Sequence, residues 1–444
     1  MARNSKKGTL VIWMNGERVG EWSQGSSTQS LQYAPTWITQ TNARPLSLSL
    51  PFTPNNLPLK GDTVRHYFEN LLPDSHAIRE RLATRYRANS TDAYDLLYAI
   101  GRECAGAVQL LSEGVTPQNV YKIDCEALSH EDVEKVLASV TRTGPLQQRD
   151  EDSDFRISIA GAQEKTAFLW HKKQWQRPLG ATPTTHIFKL PLGLIANVGD
   201  LSDSVENEWL CAQILREYGL PTADCEMAQF GEQRVLIVKR FDRQLSVDKK
   251  WITRLPQEDF CQALGVSPLR KYEADGGPGI EAILKILENS NARETDRNNF
   301  YSAQILFWML AATDGHAKNF SLFLGAGGTY RLTPFYDVLS AWPYMVGKGA
   351  KLSKKKVKLA MAVRSKNAHY QIDEIQRRHW NEMARRCGLG LNAENLIKEL
   401  IEKTLGVIKR VSEILPKDFP EHISTPVFEG LQNSSNRLAA MEAS

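Results

Sequence analysis

Asp314 and Asn319 stand five positions apart in Thr313-Asp314-Gly315-His316-Ala317-Lys318-Asn319, and a second acid, Asp337, follows in Pro334-Phe335-Tyr336-Asp337. Phosphoryl transfer needs such a set. One Asp takes the proton of the attacking hydroxyl, and an Asn and a later Asp hold magnesium on the phosphates. All three are hard oxygen donors, the type that magnesium requires. The Asp–Asn pair is unspecific by itself, and its setting sharpens it. The apolar run Ile305–Leu310 reads as a helix delivering a polar loop, and Ser321–Leu324 alternates like a short strand. The turn Gly325-Ala326-Gly327-Gly328 then closes a hairpin that leads to Asp337.

Three further stretches bear on the same chemistry. In Thr184–Pro191, a strand, Lys189 shares a face with Ile187. A lysine on a buried face is costly without a partner, and the helix opening at Ser204 offers Glu206 or Glu208; an edge lysine in solvent is the plain alternative. In Phe155–Leu169, alternating apolar residues flank the small-residue turn Ala160-Gly161-Ala162. Small residues let backbone N–H groups approach phosphate oxygens, although the stretch by itself reads first as a simple hairpin turn. Gly161 to Lys165-Thr166 lacks the second glycine and the spacing of a Walker A loop. Arg234–Phe241 is a strong central strand with a charged exit, where a kinase chain joins its lobes and binds adenine through backbone groups.

The rest of the chain must position these groups. At 444 residues it exceeds one core. Its apolar share is ordinary, its net charge of +4 demands no nucleic acid, and its six cysteines are scattered without a C-x-x-C. That pattern suits reduced thiols. With no signal-peptide core at Met1–Lys7 and no apolar helix of spanning length near 303–312, a soluble cytoplasmic protein with no membrane association is expected. Asn15-Gly16 predicts a type I′ hairpin over 9–22. Leu46–Leu50 reads as a half-buried strand, and helices are expected at Val64–Leu72, Ser75–Ala88 and Ala93–Ile100, the last capped by Thr91. Residues 105–111 return to strand. The acidic stretch before 155 reads as a linker, and no internal repeat is found. The expected organisation is an N-terminal α/β domain over 1–145, a linker at 146–154, and a kinase-like domain over 155–432. The last divides into a nucleotide-binding part, 155–255, and a mostly helical part, 256–432; residues 433–444 read as a frayed tail. Asp275–Gly279 reads as a turn entering a helix at 280–289, with an anion site as the alternative. Lys348–Lys358 holds six lysines in eleven positions, either a solvated loop or a surface for an acidic partner. Leu396–Leu415 is an amphipathic helix that reads as core packing.

These residues together resemble the HipA family, kinase toxins of bacterial toxin–antitoxin pairs. The resemblance runs nearly end to end, through Arg44-Pro45-Leu46-Ser47-Leu48-Ser49-Leu50-Pro51, Gly161-Ala162-Gln163-Glu164-Lys165-Thr166, Tyr272-Glu273-Ala274-Asp275-Gly276-Gly277-Pro278-Gly279 and Thr313–Ser321 to Pro334–Asp337. It implies an α+β, kinase-like architecture, an N-terminal α/β module followed by a largely helical C-terminal domain. It also implies an ATP-dependent protein serine/threonine kinase. Asp314 would be the base, Asn319 and Asp337 the magnesium ligands, and Ser158 the autophosphorylation site. ATP would be bound by Ala160, Gly161, Ala162, Gln163, Glu164, Lys165, Lys189, Lys239, Arg240, Phe241, His316 and Tyr336. Phosphate on Ser158 would add nearly two charges beside the ATP phosphates and switch the enzyme off. The implied partners are a helix-turn-helix antitoxin (HipB-like), operator DNA near Arg385 and Arg386, and a translation component, glutamyl-tRNA synthetase by analogy. Persistence through stalled translation would follow.

Two other readings share these residues. A DNA-bound co-repressor with a vestigial kinase fold would leave ATP irrelevant, against which stands the intact Lys189, Asp314, Asn319 and Asp337 set. A small-molecule phosphotransferase would use the same three oxygen donors. Zinc or serine-hydrolase chemistry fits poorly, since His316 has no companion ligands and no G-x-S-x-G elbow exists.

Overall fold

The computed structural model describes residues 8–25, 28–141, 158, 160–161, 163–195, 199–345 and 352–443. The expected linker, Ala162 and the lysines at 348 and 351 lie outside them; Lys355, Lys356 and Lys358 are exposed.

The N-terminal sheet is antiparallel. Its strands are β1 (Gly8–Met14), β2 (Glu17–Gln24), β3 (Gln29–Tyr33), β4 (Leu59–Lys60) and β5 (Val108–Ser112), in the order β4-β3-β2-β1-β5. Asn15 and Gly16 both take positive φ, +50° and +87°, as the tight turn between β1 and β2 requires. Helices α1 (Asp62–Glu69), α2 (His76–Arg85) and α3 (Ala93–Ile100) cover one face, where Trp22 stacks on Phe68 at 3.9 Å. Asp92 rather than Thr91 occupies the cap position of α3. Leu46–Leu50 is not a strand but a turn closed by a Ser47–Leu50 bridge. The physical reason is a competing partner. The Ser47 and Ser49 hydroxyls donate to the Gln262 carbonyl at 3.1 and 2.6 Å, and the Leu48 N–H donates to Glu258 at 2.9 Å.

The second sheet carries Lys189 and the 233–239 strand. Its strands are β6 (Cys125–Ala127), β7 (Lys165–His171), β8 (Gln174–Pro178), β9 (His186–Lys189), β10 (Cys225–Phe230) and β11 (Gln233–Lys239), in the order β10-β11-β9-β7-β8-β6. Strand β6 and the helix after it, α4 (His130–Val140), fall before the expected boundary at 145 yet belong here. Leu128, Val133 and Leu137 share a core with Phe168, Phe188 and Ile237. The expectation of an N-terminal domain reaching 145 is therefore corrected, because apolar side chains from 128 onward are buried against this sheet. Helix α5 (Ser204–Glu217) packs behind it.

The remainder is mostly helical around a small sheet of β12 (Gln257–Asp259), β13 (Ser321–Leu324) and β14 (Tyr330–Leu332). After α6 (Ile280–Leu287), the helix α7 (Arg293–Met309) is the centre of the largest core, with Phe300, Tyr301, Ile305 and Met309 all at 0% exposure. It is apolar nearly all round in its second half, as a helix surrounded by others must be. Helices α8 (Arg377–Arg386), α9 (Glu394–Glu413) and α10 (Glu421–Ala440) enclose it. The expected frayed tail from 433 is corrected as well. Helix α10 continues to Ala440, since Leu431 and Leu438 are fully buried on its inner face. Among the described residues no helix is long and apolar enough to cross a membrane.

A buried ionic cluster joins the first domain to the second. Glu103, just before β5, accepts hydrogen bonds from Arg254 at 2.6 Å, Arg240 at 3.0 Å and Arg243 at 3.1 Å. Asp242 accepts from Arg240 at 2.8 Å and from the Gly106 N–H at 2.7 Å. Burial penalises the Glu103 carboxylate, but the three guanidiniums outweigh it and hold its pKa well below the usual range.

Candidate active site

Lys189 ends β9 with its side chain nearly buried, so its ammonium must be neutralised inside the protein. Nζ lies 2.5 Å from Glu208 Oε1 and 2.6 Å from Asp337 Oδ1. Glu208 is on α5, and Asp337 sits just past β14 at φ +63°. The sequence left Glu206 and Glu208 as alternatives. Two positions apart on a helix they point nearly opposite ways, and Glu206 pairs with Arg234 at 3.0 Å. Burial alone would lower the Lys189 pKa, but Asp337 and Glu208 outweigh it and raise it. The same contact holds Asp337 well below the usual carboxylate range against its own burial, so it stays ionised.

These groups open on a cleft with about 1110 Å³ of empty space, part of it continuous with solvent. Its walls come from both domains: Asn70, Leu71 and Asp74 on one side, Lys165, Asp314 and Asn319 among those on the other. Asp314 stands at the mouth, 58% exposed, and accepts a hydrogen bond from the Tyr272 hydroxyl. The Asn319 amide donates to the Asp314 carbonyl at 2.8 Å, which closes the loop between them. His316 Nε2 is 3.9 Å from Asp314 Oδ1; its Nδ1 is buried without a partner among the described residues, and burial lowers the ring's pKa. Tyr336 donates to the Lys318 carbonyl at 3.0 Å and lies against Phe241 with centroids 5.7 Å apart. Lys318 itself is buried between Asn70 Oδ1 at 2.8 Å and Asp259 Oδ2 at 3.0 Å.

Ala160 and Gly161 border the cleft, as do Lys165, Lys239 and Phe241. Lys165 donates to the Ala160 carbonyl at 2.8 Å and is pushed down to about 8 by burial and by Lys189. Gly161 has φ +116° and pairs with Pro73, its carbonyl accepting the Asp74 N–H at 3.1 Å. Three expected nucleotide contacts are placed otherwise. Gln163 donates to the Leu190 carbonyl at 2.5 Å, and Glu164 pairs with Arg81; neither borders the cleft. Arg240 borders it, but its guanidinium is committed to the Glu103–Asp242 cluster, where buried charge is compensated. Ser158 is fully buried, its hydroxyl donating to the Leu71 carbonyl and its N–H to the Glu103 carbonyl, both at 2.8 Å. Arg385 and Arg386 are at the exposed end of α8, and neither borders the cleft. Arg385 pairs with Glu382, and Arg386 with Glu281 at 3.0 Å. At Gly279 the Glu273 carboxylate packs against the backbone where a Cβ would be, and Gly276 closes the preceding turn at φ +84°.

The sequence did not single out Asp74, Lys271 or Tyr272, and no spacing signal could have found them. Lys271 Nζ lies 2.8 Å from Asp74 Oδ2, 197 residues away in the chain. The oxygen donors of Asp337 and Asn319 face one cleft, a set chemically fit for a hard divalent cation whose remaining ligands come from phosphate.

Comparison with known proteins identifies the family. Residues 10–111 match the HipA N-terminal domain and residues 157–409 the HipA-like C-terminal domain. A Sinorhizobium fredii protein named "Putative kinase Y4mE" is 30% identical over 414 residues, 91% of this chain and 92% of that one. The serine/threonine-protein kinase toxin HipA of Shewanella oneidensis is 25% identical over 350 residues, 76% of each chain. A solved structure of the Shewanella oneidensis HipA, HipB and operator DNA complex superposes with a TM-score of 0.77 at 21% identity, covering 97% of both chains. That likeness shows the fold. With both of its domains matched in order, the chain belongs to the HipA family.

Proposed function

We propose that this protein is an ATP-dependent protein serine/threonine kinase acting as the toxin of a toxin–antitoxin pair. The observation that carries the reading is Lys189, bonded to both Glu208 and Asp337 in a cleft that Asp314 and Asn319 also line. Lys189 offsets phosphate charge, and Asp314 accepts the proton as the acceptor oxygen bonds to the γ-phosphorus and the bond to ADP breaks. Asn319 and Asp337 would hold magnesium, which neutralises charge on the transferred phosphoryl group. The backbone of the 160–161 turn lies beside the phosphates, Lys239 and Phe241 beside the base.

Ser158 is the autophosphorylation site in this reading. Its hydroxyl donates to the Leu71 carbonyl, and a phosphate there would replace that donor with charged acceptor oxygens in a buried position. The 158–161 segment must leave to be phosphorylated, and once phosphorylated it cannot return. The chain then stays inactive. The antitoxin, operator DNA through Arg385 and Arg386, and a translation component such as glutamyl-tRNA synthetase complete the proposal, supported by family membership. A small-molecule phosphotransferase has no specific observation in its favour.

The test is incubation of purified protein with magnesium and γ-labelled ATP beside Asp314→Asn, with phosphate mapped by mass spectrometry. Label on Ser158 in the wild type alone supports the kinase and its switch together. No label, in protein isolated unphosphorylated and able to bind ATP, would overturn the autokinase reading.

A further inference from the structure

Asp314 stands at the mouth of the cleft, where a carboxylate free to rotate would present either oxygen to solvent. One of those oxygens is held. The Tyr272 hydroxyl donates to Asp314 Oδ1, and the Tyr272 ring meets His316 edge-on, centroids 5.0 Å apart at 84°. Burial and the adjacent Asp314 charge raise the Tyr272 pKa well above its ordinary value, so the phenol is a donor throughout the neutral range.

Tyr272 is itself fixed from two sides. Its carbonyl accepts the Gly277 and Asp275 N–H groups at 2.9 and 3.1 Å. A Cβ on Gly277 would fall 2.0 Å from the Arg270 carbonyl, so only glycine permits this close turn. On the other side, the Lys271 carbonyl accepts the Ala317 N–H at 3.3 Å, and Lys271 Nζ is paired with Asp74. Asp74 belongs to the N-terminal domain and also bonds Gly161 through its backbone. A continuous path of direct contacts therefore runs from the N-terminal domain to the catalytic base.

We propose that Tyr272 is a positioning residue for Asp314, holding one carboxylate oxygen so that the other faces the acceptor hydroxyl, and that Asp74 secures it through Lys271. The inference rests on the kinase reading above. The acceptor oxygen's proton goes to the free Asp314 oxygen, and Tyr272 keeps its own proton throughout.

The experiment measures the initial rate of self-phosphorylation against ATP concentration, with unfolding midpoints of the same samples. The proteins are wild type, Tyr272→Phe, Asp74→Asn, Asp314→Asn and the Tyr272→Phe/Asp314→Asn double variant. Tyr272→Phe is expected to lower the maximal rate about 10- to 100-fold with half-saturating ATP within about twofold, the signature of lost orientation. Asp74→Asn, which acts through Lys271, lowers the maximal rate in the same sense by a smaller factor. Asp314→Asn, alone or with Tyr272→Phe, is expected to carry no label and serves as the blank from which these rates are read. An unchanged maximal rate in Tyr272→Phe, or a rise confined to half-saturating ATP, overturns the positioning role while leaving the kinase intact. A wild type that transfers no phosphate overturns the kinase reading itself, and this inference with it.

Discussion

Lys189 and Asp337, 148 residues apart in sequence, meet at 2.6 Å, and Glu208 completes the contact at 2.5 Å on the same ammonium. Lys189→Ala leaves Glu208 buried and unpaired and is expected to cost about 3–5 kcal/mol, read as a lower urea midpoint, with loss of phosphate transfer. Asp337 is held below its ordinary 3.8, so its share of stability is complete above that pH and lost as pH falls through the folded value. Lys189 is held above 10.5, so its share is complete below that pH and lost as pH rises further. Urea titrations across pH should show both limbs weakened in Lys189→Ala. Limbs unchanged from wild type would sink the assignment.

Glu258 behaves in the opposite sense. It is fully buried on β12 and accepts from the Leu48 N–H, and burial pushes its pKa up to about 8 against the hydrogen bonds of Ser47 and Leu48. An acid raised in the folded state favours folding fully below its ordinary 4.5 and loses that advantage as pH rises toward 8. Glu258→Gln should therefore flatten the decline of stability between those values, gaining on the order of a few kcal/mol at pH 8 relative to wild type. Thermal unfolding at pH 5 and pH 8 checks it, and parallel wild-type and variant slopes would refute it.

Ser158→Ala removes one buried hydrogen bond, costing about 1 kcal/mol, and abolishes self-labelling. Ser158→Asp sets a buried carboxylate against the Leu71 carbonyl and is expected to weaken nucleotide binding by about tenfold or more. Titration with a fluorescent ATP analogue reads the difference. Equal affinities in the two variants would argue against the switch.

Arg385 and Arg386 are 61% and 44% exposed at the end of α8. Changing both to Ala should weaken operator binding by the toxin–antitoxin complex and lower the log–log salt slope by roughly two. Fluorescence anisotropy over a salt series measures it. A slope equal to that of wild type would place the DNA contact elsewhere.

The sequence alone determined what is local or tied to residue type. Asn15-Gly16 dictated the tight hairpin, and the apolar run ending at Leu310 required a buried helix. Asp314, Asn319 and Asp337 supply their oxygens at a spacing any reader could see. Tertiary structure decided the rest, because partners distant in sequence leave no periodicity. Only the fold selects Glu208 over Glu206, sends the Arg240 guanidinium to Glu103, and turns Leu46–Leu50 into a docking loop. The boundary near 145 failed for the same reason. Leu128, Val133 and Leu137 form an ordinary helix-and-strand pattern, and which sheet buries them is set by shape and apolar area, not by their order in the chain.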